Sequence, residues 1–143
     1  MRDTGHAMSQ ENVELHRRGV DAINARDLSD ELFAEICTPD FYMANTSTAV
    51  TDKTYRGVED LREWAADFFD AFDGDARYEC EEIVAHDEDF VVSVVRLVGH
   101  GARSGVPLEL RWVAVTWFQD GRMSHGVGYL SRREALRAVG LAE

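Results

Sequence analysis

The stretch that constrains this chain most runs from Leu108 to Leu130 around the dipeptide Asp120-Gly121. Its first arm, Leu108 to Phe118, is dense in β-branched and aromatic residues, and its second returns from Arg122 with Met, Val, Tyr and Leu. A two-residue Asp-Gly turn suits the twist of paired strands, because glycine accepts positive φ freely and aspartate better than most residues. So tight a turn sets Gln119 against Arg122. Counting on without interruption puts Thr116 opposite His125, Ala114 opposite Val127 and Trp112 opposite Tyr129. Side chains alternate along a strand, so these six share one side of the sheet, with Phe118 and Met123 beside them. The other side receives Arg111, Val113, Val115 and Trp117, facing Ser124, Gly126 and Gly128. Both sides are largely apolar and both need cover. One reads as the wall of a pocket, the other as a packing or dimer surface.

The 143 residues suffice for one domain with a sizeable core, and 45% of them are hydrophobic, an ordinary globular share. A net charge of −12 argues against nucleic acid and anionic membrane as partners. The acidic cluster between Asp67 and Asp89 reads as a solvated face. Cys37 and Cys80 stand in neither metal nor redox spacing, which suits a reduced, cytoplasmic chain. The first residues contain no apolar stretch of the kind that directs secretion, and no run is long enough to span a bilayer. Residues 1–8 read as a disordered extension or expression remnant ahead of a single domain over 9–143.

Ser9 is the expected N-cap of a first helix, with Glu11 in its first turn. Val13, His16, Val20 and Ile23 then recur at helical spacing. A short second helix carries Leu28, Leu32, Phe33 and Ile36 and is ended by Pro39. A strand from Phe41 to Thr46 follows, then a polar connection from Thr46 to Thr54 that reads as a flap over the pocket. The strongest helix carries Val58, Leu61, Trp64, Ala65, Phe68, Phe69 and Phe72 on one broad face, and such a stripe needs a large apolar surface to lie across. Strands are expected over Arg77–Ala85 and Phe90–Val98, the second buried on both faces and interrupted only by Ser93 and Arg96. The glycine-rich loop from Gly99 to Gly105 lacks the Lys-Ser/Thr of a phosphate cradle. Ser131 and Glu134 form a capping box for a last short helix, stopped by Gly140. Helices first and hairpin-connected strands after make an α+β pattern, a curved antiparallel sheet wrapped around N-terminal helices into a cone.

The segments Glu14–Val20, Asn24, Asp27-Leu28, Tyr55–Val58 with Trp64, Ser104-Gly105, Asp120–Arg122, Arg132–Leu136 and Gly140-Leu141 together resemble the nuclear-transport-factor-2-like superfamily. Within it they are most similar to the SnoaL-like group, which includes polyketide cyclase and ketosteroid isomerase relatives. The resemblance implies a cone-shaped, cystatin-like α+β barrel, a homodimer, and a largely apolar pocket between helices and sheet. It also implies, in many relatives, a histidine at the position of Ala114 and an acidic residue at that of Val127, with another acid at Ser131. In this chain those positions are aliphatic or serine, so the usual acid/base pair is absent.

One titratable group remains on the expected pocket side of the hairpin. His125 could move a proton near neutrality, and Tyr129 could donate to a carbonyl or enolate oxygen, which makes them the candidate catalytic pair. Thr116, Met123, Trp112 and His16, with the aromatics Tyr42, Tyr55, Trp64 and Phe68, are the candidate ligand-binding residues. Each also has a plain structural reading: His16 as a satisfied core histidine, His125 as a wet strand residue, Tyr129 as a rim aromatic. Arg96 and Arg111 either face the pocket or pair with Glu109 and the acidic strand that begins at Arg77. No histidine or cysteine pair has metal-ligand spacing and no nucleophile elbow occurs, so neither metal nor cofactor is expected. Three readings stand: a cyclase- or isomerase-type enzyme acting on a small apolar carbonyl compound, a binding protein for a hydrophobic ligand, and a dimerising module.

Overall fold

A computed structural model of the chain describes residues 2–45, 53–70, 72 and 75–141. The elements run α1 (Arg2–Ala25), α2 (Asp30–Ile36), β1 (Cys37–Asn45), β2 (Tyr55–Arg56), α3 (Gly57–Asp70), β3 (Arg77–His86), β4 (Phe90–His100), β5 (Pro107–Gln119), β6 (Arg122–Tyr129) and α4 (Arg132–Ala138). The strands form one curved sheet in the order β2-β1-β6-β5-β4-β3. Strands β3 to β6 are an antiparallel meander, and α1, α2 and α3 lie on the concave side. The α+β reading therefore holds. One pair departs from it: β1 runs parallel to β6. The expected flap falls largely on residues 46–52, outside the described ones.

Two boundaries differ from expectation. Helix α1 begins at Arg2, so Ser9 is no cap. It sits buried inside the helix and bonds His86 Nδ1 across to the end of β3. Pro39 lies within β1, where the register jumps from Cys37–Met123 to Tyr42–His125. A proline, which has no N–H to give, is tolerated in such an interruption. The caps of α2 and α4 follow ordinary helix chemistry: Ser29 Oγ accepts from the Leu32 amide and Ser131 Oγ from the Glu134 amide, each at 3.1 Å.

The hairpin turn is as tight as expected, with Asp120 at φ 54° and Gly121 at φ 79°, and Gln119 does pair with Arg122. The next step breaks the count. Phe118 pairs with Met123 but Trp117 pairs with His125, which leaves Ser124 as the extra residue of a β-bulge. Its hydroxyl donates to the Trp117 carbonyl at 3.2 Å and so replaces part of the lost ladder. Beyond the bulge every partner on β6 is displaced by one: Thr116 pairs with Gly126, Ala114 with Gly128, and Val113 with Tyr129. The expected pairs of Thr116 with His125, Ala114 with Val127 and Trp112 with Tyr129 are corrected accordingly.

The sheet is buried on both sides. Val91, Ser93, Val95 and Leu97 of β4 face the helices, while Phe90, Val92 and Val94 pack outward with Val113, Val115 and Ala135 of α4. Arg96 and Arg111 lie on the outer face and form an ion network. Arg96 donates to Glu79 at 2.7 Å and Glu109 at 3.2 Å, and Arg111 donates to Glu81 at 2.6 Å. Those guanidinium contacts hold the Glu79 and Glu81 carboxyls below the usual carboxylate range.

Helix α1 is pinned to the β3–β4 half of the sheet by polar contacts near its middle and end. Asn12 donates to the carbonyls of Asp87 and Glu88 in the β3–β4 turn. Asn24 behaves like a strand neighbour for Tyr78, giving a hydrogen bond to its carbonyl at 2.6 Å and accepting one from its amide at 2.7 Å. Because β3 is an edge strand, these groups have no other backbone partner there. Asn24→Ala is expected to lower the unfolding free energy by about 1–3 kcal/mol with an unchanged denaturant slope, as read by urea titration.

Candidate functional site

The concave side of the sheet and the helices above it enclose a cavity of about 110 Å³, several times the space one water molecule needs. Helix α1 contributes His16, Gly19, Val20 and Ile23, one stripe at helical spacing. The cavity floor includes the small residues Ala114, Gly126 and Gly128. Ser93, Ala114 and Gly128 are in register across three strands, and the next row is Val91, Thr116 and Gly126. A Cβ on Gly126 would meet the Val115 carbonyl at 3.8 Å and the Met43 side chain at 3.9 Å, ordinary van der Waals contact. Phe41, Trp64, Tyr78, Trp112 and Met123 wall the sides. At the surface, Arg62 ties α3 to the start of α2 by donating to the Leu28 carbonyl and to Asp30, both at 2.8 Å.

Among the described residues that line it, none is Asp, Glu, Lys or Arg. The ionisable groups present are held neutral. Burial pushes the imidazole of His16 down from 6.5 to about 4, with the neighbouring Arg17 adding to the effect. Burial likewise pushes the Cys37 thiol up to about 12 and raises the Tyr78 phenol. His16 bonds Ser93 at 3.1 Å through Nε2, and both side chains are buried. No group of three or more His, Cys, Asp or Glu among the described residues could hold a metal ion.

The expected site residues divide between the two faces of the sheet. Trp112, Thr116, His16, Trp64 and Met123 line the cavity. Tyr55 is buried in the cluster that contains Trp64 and Trp112 and does not line it. The side chain of Phe68 lies outside the described residues. His125, Tyr129 and Tyr42 are on the outer face, which corrects their expected placement inside the cone. His125 stacks between Tyr42 at 5.0 Å and Trp117 at 5.8 Å, and Tyr129 packs with the α4 cluster. For His125 and Tyr129 the physical reason is the bulge at Ser124, which turns the remainder of β6 over, and Tyr42 alternates on β1 with the inward Phe41 and Met43. The bulge brings Gly126 and Gly128 inward in place of the imidazole and the phenol.

The pairing of His16 with Ser93 has one signal in the residues themselves. Ser93 interrupts a buried apolar strand and His16 interrupts an apolar helix stripe, and two buried polar side chains need partners. They are each other's. Nothing local marks Ser124 as a bulge, so Gly126 and Gly128 could not be assigned to the cavity from the sequence.

The sequence profile described as "SnoaL-like domain" matches residues 16–126. A search of curated proteins finds no match. Among solved structures, Bal32a from a soil-derived mobile gene cassette superposes with a TM-score of 0.68 at 19% identity, covering 85% of this chain and 89% of its own. A candidate SnoaL-like polyketide cyclase from Jannaschia sp. CCS1 gives 0.67 at 22% identity, covering 94% and 92%. AclR, a candidate hydroxylase from Streptomyces galilaeus, gives 0.65 at 20% identity, covering 94% and 99%. These likenesses concern the fold.

The folded-state value of His16 lies below the 6.5 of a free histidine, so the unfolded chain takes up a proton first as pH falls. The contribution of the neutral imidazole is complete above pH 6.5 and is lost progressively towards about pH 4, on the order of 3 kcal/mol in all. His16→Gln, which does not titrate, is expected to flatten this part of the stability profile in urea unfolding at neutral pH and at about pH 4.5.

Proposed function

Because the chain belongs to the SnoaL-like domain family, we propose that it takes up a small, neutral, largely apolar molecule in the cone between helices and sheet. The carrying observation is the lining of that cavity: aliphatic and aromatic side chains around a floor of Ala114, Gly126 and Gly128, with His16, Cys37 and Tyr78 all uncharged near neutrality. A charged ligand would lose its hydration there and gain no counter-ion from the residues described. Binding is favoured over turnover of the cyclase or isomerase type through His125 and Tyr129. Both lie on the far side of the sheet, and the family's acid/base positions hold Ala114 and Val127.

Ala114→Leu adds bulk directly over the floor. In ligand-observed NMR with small neutral aromatic compounds, the native chain is expected to bind and Ala114→Leu to bind about tenfold or more weakly while remaining folded. Absence of binding to the native chain, or equal binding to both, refutes the reading. A homodimer formed through the outer face belongs to the same proposal, since Tyr42, His125 and Trp117 are only half-buried there. Light scattering at micromolar concentration is expected to give twice the chain mass, and Trp117→Lys to give monomers; a monomeric native chain refutes this part.

A further inference from the structure

Polar atoms without a protein partner decide what kind of molecule an apolar cavity prefers. Ser93 is fully buried in β4, and its hydroxyl has one hydrogen-bonding neighbour among the described residues, Nε2 of His16 at 3.1 Å. A buried hydroxyl proton left without an acceptor is costly. The Ser93 O–H therefore donates to Nε2, and the neutral imidazole carries its own proton on Nδ1. That Nδ1–H has no acceptor among the described residues. No side-chain nitrogen or oxygen there is both sealed and unpartnered, so Nδ1 opens onto the space that His16 lines.

Thr116 behaves similarly. Its hydroxyl has no side-chain hydrogen bond among the described residues, it lines the same space, and it stands one row from Ser93 on the same face of the sheet. Two donors thus converge near one end of the cavity, while Trp112 lies a row further along and, with Trp64, walls the other end.

Resting on the reading of the cavity as a small-molecule site, we propose that its ligand presents a carbonyl oxygen to the Nδ1–H of His16. Ser93 is the positioning residue that fixes the imidazole tautomer, and Thr116 supplies a second donor. The apolar body of the ligand then lies along Trp64 and Trp112. A site built to donate to an oxygen rejects an isostere that lacks it, because its own buried donors are left unpaired.

Acetophenone and α-methylstyrene have nearly the same shape, but only acetophenone carries an acceptor oxygen. Titrated into the full chain and followed by NMR, acetophenone is expected to bind at least about tenfold more tightly. His16→Phe combined with Ser93→Ala removes both members of the buried pair and is expected to reduce that preference to the share Thr116 supplies; an unchanged preference overturns the role of His16. Ser93→Ala alone frees the imidazole to change tautomer and is expected to shrink it; an undiminished preference overturns the positioning role. Nitrogen-15 spectra of the native chain are expected to place the His16 proton on Nδ1 and to show that proton moving downfield with acetophenone alone. Equal affinity for the two compounds, or a proton on Nε2, overturns the proposal and leaves the cavity a ligand site. Failure of both compounds to bind overturns the ligand reading, and this inference with it.

Discussion

One unpaired residue in β6 decides what this fold encloses. Ser124 adds a step to one strand that its partner lacks, and side chains alternate with a period of two, so everything beyond it changes face. Without the bulge the cone would contain an imidazole and a phenol. With it, the cone has a floor of glycine and alanine, and the aromatic groups of β6 join the outer packing. The serine hydroxyl that bonds the Trp117 carbonyl makes the interruption tolerable by occupying an acceptor the ladder has released.

A floor of small residues leaves space only if the helix above cannot settle into it. Helix α1 is held off by polar contacts whose positions are fixed by the sheet. Asn12 reaches the β3–β4 turn, His16 reaches Ser93, and Asn24 completes the edge of β3 at Tyr78. Buried polar groups are costly when unpaired, so these contacts specify the helix position more sharply than apolar packing would. At Gly19 the fit is close: an added Cβ would lie 3.2 Å from the Met123 side chain. The cavity is thus a consequence of where polar partners had to meet.

The two faces of the sheet carry different chemistry. The outer one carries an ion network in which Arg96 and Arg111 are shared among Glu79, Glu81 and Glu109, whereas none of the described residues lining the cavity on the inner face is Asp, Glu, Lys or Arg. This separation explains how a chain with net charge −12 encloses an uncharged interior. Membership of the SnoaL-like family fixes the cone and its curvature. It does not fix the chemistry, which depends on the few side chains pointing inward.

From residues alone, the element order apart from the two-residue strand β2 was legible because its signals are local: the Asp120-Gly121 turn, the apolar run of β4, the Leu61–Trp64–Phe69 stripe of α3, and the Ser131 cap. These follow from φ preference, periodicity and capping, which act over a few residues. Part of the cavity was legible too, since Trp112, Thr116 and His16 follow from alternation and helical spacing. What only the tertiary structure decided was the side of the sheet to which His125, Tyr129, Gly126 and Gly128 belong, and that Ser93 is the partner of His16. A bulge alters register without altering composition, and a buried hydrogen bond joins residues far apart in the chain. Neither is set by any local preference, so both are fixed only when helix and sheet pack together.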